Sequence, residues 1–230
     1  MMRVSKFSAI LAITVLAACS GGTDKIGGQL AIVSELRETS KKNRVIRNSP
    51  QLVPEITRAF LDTVTVPTLE VTVEKSDQTA FLIPAAYRKD RRQGRVTVWK
   101  TVEGENVVVR SGVLIGTKGL GRDLVSADAS AVIKNIVAKQ SGGGLRILHV
   151  RNDVNGADEL RIQCEISVVG PENITIIERS YPTLHMNEKC VVGSGEVSND
   201  YWVDSVGTIR QSKQWAGPSV GYLSLRLLKK

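Results

Sequence analysis

The sequence predicts a mainly β protein, an antiparallel barrel-like or sandwich domain with a few short helices, and three observations predict it. Apolar and polar residues alternate with a period of two through much of residues 68–228, as half-buried strands do. Turn signals part these runs at a spacing of roughly ten residues, too close for a helix between successive strands. One helical stretch, Asp128 to Lys139, interrupts the pattern, so a regular β/α alternation is excluded.

The first residues belong to no domain. Arg3 and Lys6 precede an uncharged apolar run from Phe7 to Leu16, and Ala17-Ala18-Cys19 follows. This is a secretory signal over residues 1–18, with Cys19 where a lipoprotein signal peptidase cleaves after lipidation of the thiol. The run is about half the ~20 residues a membrane span needs. Residues 19–28 read as a polar, glycine-containing tether, and residues 29–230 as one periplasmic domain. Ser20 permits transfer to the outer membrane where an aspartate would hold the protein at the inner one.

Leu30, Ile32, Val33 and Leu36 have helical spacing, and Pro54 opens a second short helix with Ile56, Ala59 and Phe60 on one face. From Thr68 the period is two. Leu69, Val71 and Val73 form the first strand, Asp77 turns, and Ala80 to Ala86 returns. Arg95 to Thr101 and Val107 to Arg110 flank a hairpin turn at Glu103-Gly104-Glu105-Asn106. Asp128 caps the helix and Ser141 to Gly144 ends it. Leu145 to Arg151 and Glu159 to Val168 flank Asn155-Gly156, and Leu160, Ile162, Cys164, Ile166 and Val168 share one face. Gly170-Pro171-Glu172-Asn173 is read as the next turn, leading into Ile174 to Tyr181. Strands are expected again at Leu184 to Val192, Val197 to Asp204, Thr208 to Trp215 and Tyr222 to Leu228.

The 230 residues are 42% hydrophobic, enough for a full core, and carry a formal charge of +8. Removing Arg3 and Lys6 with the signal leaves 8 − 2, or +6. A basic exported protein favours anionic lipid or acidic glycan, and export excludes nucleic acid as its partner. With Cys19 lipidated, Cys164 and Cys190 are an even pair in an oxidising compartment and are expected to be bridged. Two histidines and no CxxC or HExxH offer no metal-ligand pattern, and no cofactor is expected.

The glycines of Gly112 to Asp128, GVLIGTKGLGRDLVSAD, match neither GxxxxGK[ST] nor GxGxxG, so they read as tight turns. Asp123 and Asp128 are a poor glycosidase pair, since Asp128 serves as a helix cap. There is no GxSxG, and Gly193-Ser194-Gly195 reads as a turn. No catalytic residue is therefore assigned. In the C-terminal stretch, Tyr201, Trp202, Arg210, Lys213 and Trp215 are candidates for contact with a protein partner or an acidic glycan; Trp202 and Trp215 serve equally well as core residues at strand ends.

The GVLIGTKGLGRDLVSAD segment and the ending YWVD…GTIRQSKQWAGPSVGYLSLRLLK resemble the YjbF/GfcB family of outer-membrane lipoproteins, found with exopolysaccharide and group 4 capsule genes. The resemblance covers most of the mature chain. It implies a mostly antiparallel β body and a non-enzymatic, periplasm-facing accessory to polysaccharide secretion, held by acyl chains on Cys19 and working beside an outer-membrane β-barrel export protein. The alternative is a periplasmic module that binds an acidic polysaccharide.

Overall fold

The computed structural model describes residues 56–230; the signal, Cys19, the tether, the helix expected from Leu30 and Pro54 itself lie outside the described residues. Helix α1 (Arg58–Thr63) precedes β1 (Thr68–Val73), β2 (Gln78–Arg88), β3 (Val96–Lys100), β4 (Asn106–Arg110), β5 (Val113–Lys118) and β6 (Leu124–Asp128). Helix α2 (Ser130–Ala138) follows, then β7 (Gly142–Arg151), β8 (Ala157–Ile176), β9 (Arg179–Val192), β10 (Gly195–Asp204), β11 (Ile209–Trp215) and β12 (Tyr222–Lys229). The fold is mainly β, as the alternation predicts.

All strands join one antiparallel sheet of 12 in the order β5-β4-β3-β2-β1-β12-β11-β10-β9-β8-β7-β6. Chain neighbours are sheet neighbours except β5 and β6, which form the two edges, and β12 returns beside β1, pairing Val71 with Leu225 and Val73 with Leu223. The sheet curls until its edges β5 and β6 meet. There Leu124 N–H donates to Thr117 Oγ1 (3.0 Å), so a side chain stands in for ladder bonds and the barrel is nearly closed. Bulges at Ala85 in β2 and at Ile115 in β5, opposite Val108 and Val109, supply curvature.

Inward residues of every strand build the central core, among them Leu82, Leu114, Leu148, Ile162 and Leu223. One end of the barrel is plugged by α2, whose Val132, Ile133 and Ile136 pack on Ile166, Met186, Tyr201 and Val203. Two glycines make room for it. A Cβ on Gly142 would stand 2.6 Å from Asn135 Oδ1, and one on Gly144 would overlap the Ala131 methyl. The expected cap at Asp128 is shifted: Ala129 is the N-cap, while the Asp128 carboxylate, at the end of β6, accepts from Ser130 N–H (3.0 Å) and its hydroxyl. Lys139 ends α2 in the left-handed region, φ 54°.

Between plug and central core lies a charged pair with no solvent exposure worth the name. Arg146 on β7 donates to Glu188 on β9 (2.9 and 3.2 Å) and to the Leu114 carbonyl (2.9 Å). Tyr201 Oη (2.6 Å) and Asn199 Nδ2 (2.9 Å) also donate to Glu188. Burial works against the Arg146 charge, but Glu188 outweighs it and the guanidinium is held above its ordinary value. Burial, and then the Glu188 charge, push the Tyr201 hydroxyl upward, so it stays a donor. Directly beside this network, Cys164 and Cys190 form the expected disulfide across β8 and β9. It closes a loop of 26 residues, worth about 3.5 kcal/mol by chain entropy. Glu188 and the two sulfurs lie close together, but the sulfurs are bonded to each other and the carboxylate is occupied by donors.

One expected turn is absent. Gly170-Pro171-Glu172-Asn173 continue β8, which runs on to Ile176 with a bulge between Val168 and Gly170. The true turn is Ile177-Glu178, both at positive φ. Glycine and proline bend the strand there rather than reverse it, and Val168, just before the bulge, is exposed rather than buried with Ile162, Cys164 and Ile166. The overhanging hairpin folds across the outer face of the sheet. Ile174 and Ile176 pack on Phe81, Leu228 and Leu61 of α1, and Arg58 donates to the carbonyls of Ile176 (2.6 Å), Ile177 (3.0 Å) and Leu228 (3.2 Å).

Candidate functional site

The antiparallel order brings the starts of β1, β3, β5 and β11 and the ends of β2, β4, β10 and β12 to one end of the barrel, the end that α2 plugs. Helix α2 fills only the half against β7 to β10. The other half is a cavity of ≈ 600 Å³. Its floor is apolar, made by Leu69, Trp99, Val109, Leu225 and Leu227. Its rim is cationic, with Arg95, Lys139, Arg210 and Lys230, and no Asp or Glu of the described residues lines it. Exposed apolar side chains stand at the opening as well: Val206 at 75%, Tyr87 at 52% and Val137 at 36% exposure.

The rim cations are differently engaged. Arg210 donates to Asp204 Oδ2 (2.7 Å) and lies 4.7 Å over the Tyr181 ring, so its charge is matched. Partial burial disfavours the Asp204 charge, but Thr208 N–H, Arg210 and Val206 N–H together hold its carboxyl below the usual range. Lys139 Nζ donates to the Ser205 carbonyl (2.8 Å) and Lys230 Nζ to Thr208 Oγ1 (2.7 Å), both neutral partners. Arg95 lies 4.7 Å over the Tyr87 ring, and none of these last three has a carboxylate partner among the described residues. Three positive charges thus ring an apolar hollow. That arrangement is complementary in charge and polarity to a molecule with one anionic end and one apolar end.

The candidates from the sequence are scattered by the fold. Tyr201 is fully buried with its hydroxyl on Glu188, and Trp215 is 9% exposed in the central core, so the side chains of these two have no face to offer a partner while the fold is intact. Trp202 is covered by the overhanging hairpin and stacks on His185 with centroids 4.6 Å apart. Lys213 is on the outer face, paired with Glu74 (2.7 Å) and 5.1 Å over the Tyr222 ring. Arg210 alone of the five borders the cavity. Asp123 is consumed locally: it accepts from Thr117 Oγ1 (2.8 Å), Gly119 N–H (2.9 Å) and Leu120 N–H (3.0 Å), holding the glycine turn, with Gly119 and Gly121 at positive φ. Arg95, Lys139, Lys230, Tyr87 and Trp99 carry no signal in the sequence, because the site is assembled from three separate segments of the chain, around residues 87–99, 139 and 230.

Comparison with known proteins adds the context. The family described as group 4 capsule polysaccharide lipoprotein GfcB, YjbF matches residues 42–228. The crystal structure of the lipoprotein YmcC from Escherichia coli K12 superposes with a TM-score of 0.66 at 20% identity, covering 77% of this chain and 90% of that one. An exported protein from Bacteroides fragilis with a YmcC-like fold aligns at 10% identity and a TM-score of 0.28, covering 71% of this chain and 93% of that one. No curated protein matches the sequence.

Proposed function

Because the chain belongs to the YjbF family of group 4 capsule polysaccharide lipoproteins, we propose that it serves capsule secretion as a non-enzymatic accessory, anchored under the outer membrane by acyl chains on Cys19 and contacting an outer-membrane export protein. The observation that carries this reading is the extent of the family match, residues 42–228, which takes in all of the described barrel but the last residue of β12. The two carboxylates weighed for catalysis are both engaged in structure: Asp123 holds a turn and Asp128 the start of α2.

The anchor is what places the barrel. Three acyl chains at ~0.8 kcal/mol per buried methylene hold a protein on a bilayer for good, whereas one chain does not. A chromosomal Cys19→Ala variant is expected to leave the outer-membrane fraction and to lower surface polysaccharide to the level of a deletion strain. Undiminished surface polysaccharide with the variant off the membrane would overturn the need for the anchor.

A further inference from the structure

We propose that the cavity at the plugged end of the barrel is a binding site for a single-chain amphiphile with an anionic head, its hydrocarbon chain against Trp99, Leu225 and Leu227 and its head among Arg95, Lys139 and Lys230. This goes beyond the capsule role and stands without it. The volume, ≈ 600 Å³, is within the range of small-molecule sites, and the division of the lining into apolar floor and cationic rim matches both ends of such a molecule. A neutral sugar would leave the charges of Arg95, Lys139 and Lys230 unmatched.

One further observation favours this occupant. Of the four rim cations, Arg95, Lys139 and Lys230 have no carboxylate partner among the described residues, whereas Arg210 is paired with Asp204, as Arg110, Arg146 and Arg226 are with Asp90, Glu188 and Glu70. Arg95 and Lys230 are exposed and Lys139 is half-buried, so their charges stand in water at the mouth, where an anionic head would meet them while its chain lies in the hollow.

The test uses the full lipidated chain in zwitterionic nanodiscs and 9,10-dibromostearate, whose bromines quench tryptophan on contact. Saturable quenching is expected, abolished by Trp99→Phe and weakened at least ten-fold by Arg95→Glu with Lys139→Glu, both of which sit at the rim rather than in the core. The dibrominated methyl ester, lacking the charge, is expected to bind at least ten-fold more weakly. A brominated lysophosphatidylglycerol separates the sources: tighter binding than stearate assigns a lipid headgroup, weaker binding a free fatty acid. Quenching that persists in Trp99→Phe, is equal in the charge-reversed variant, or never saturates would overturn the proposal. None of these failures touches the capsule reading, which is measured on cells.

Discussion

Glu188→Ala is expected to lower the unfolding free energy by about 3–5 kcal/mol, the range found when one member of a buried ion pair is removed. Arg146 is 1% exposed and Glu188 0%, so no water reaches the guanidinium left behind. Its remaining acceptor is the Leu114 carbonyl, and its Nε already lacks a partner. Tyr201 and Asn199 would each lose the acceptor they share. The companion variant decides the cause. Arg146→Met with Glu188→Leu removes both charges, and it is expected to recover most of the loss, short by about 1–3 kcal/mol for the orphaned tyrosine and asparagine groups. Urea unfolding of wild type, single and double variants measures this directly. Equal losses in the single and double variants would show that packing, not the unpaired charge, sets the cost.

Gly144→Val is expected to destabilise by about 3 kcal/mol, at the upper end of overpacking costs, because the new side chain meets α2 with nowhere to go. The methyl of Ala131 lies where its Cβ would be, and α2 is fixed from behind by Val132, Ile133 and Ile136 in the plug. The variant must lift the helix and expose those side chains. Gly144→Ala paired with Ala131→Gly exchanges the two methyls, and is expected to return to within about 1 kcal/mol of wild type, the helix cost of glycine. Thermal unfolding followed by tryptophan fluorescence reads both. A Gly144→Val protein as stable as wild type would mean that α2 does not seat on β7 as described.

Much of this architecture was legible from residue order. Hairpins at Gly104 and Asn155-Gly156 stand where their turn residues put them, and Leu160 to Ile166 face inward as their alternation requires. Gly170-Pro171 misled because the same residues that make turns also make bulges, and local chemistry does not say which; the overhang and its docking on Arg58 decide it. The buried pair left a readable trace. Met186, Glu188 and Cys190 share a parity, as do Gly144, Arg146 and Leu148, which puts a carboxylate and a guanidinium on inward faces. Tyr201 and Trp215 were ambiguous for the opposite reason, since a large aromatic side chain suits a barrel interior and a binding surface alike. The cavity left no trace at all: Leu69, Trp99 and Leu225 meet only because β12 closes beside β1.

The proposed accessory role rests on membership in a capsule lipoprotein family. The direct measurement is the identity of what co-purifies with the tagged, lipidated protein from gently solubilised outer membranes, beside a Val206→Asp, Tyr87→Asp variant of the exposed rim. The account predicts an outer-membrane β-barrel protein recovered with wild type. Recovery of polysaccharide alone, released by high salt, would contradict it and favour a glycan-binding module instead.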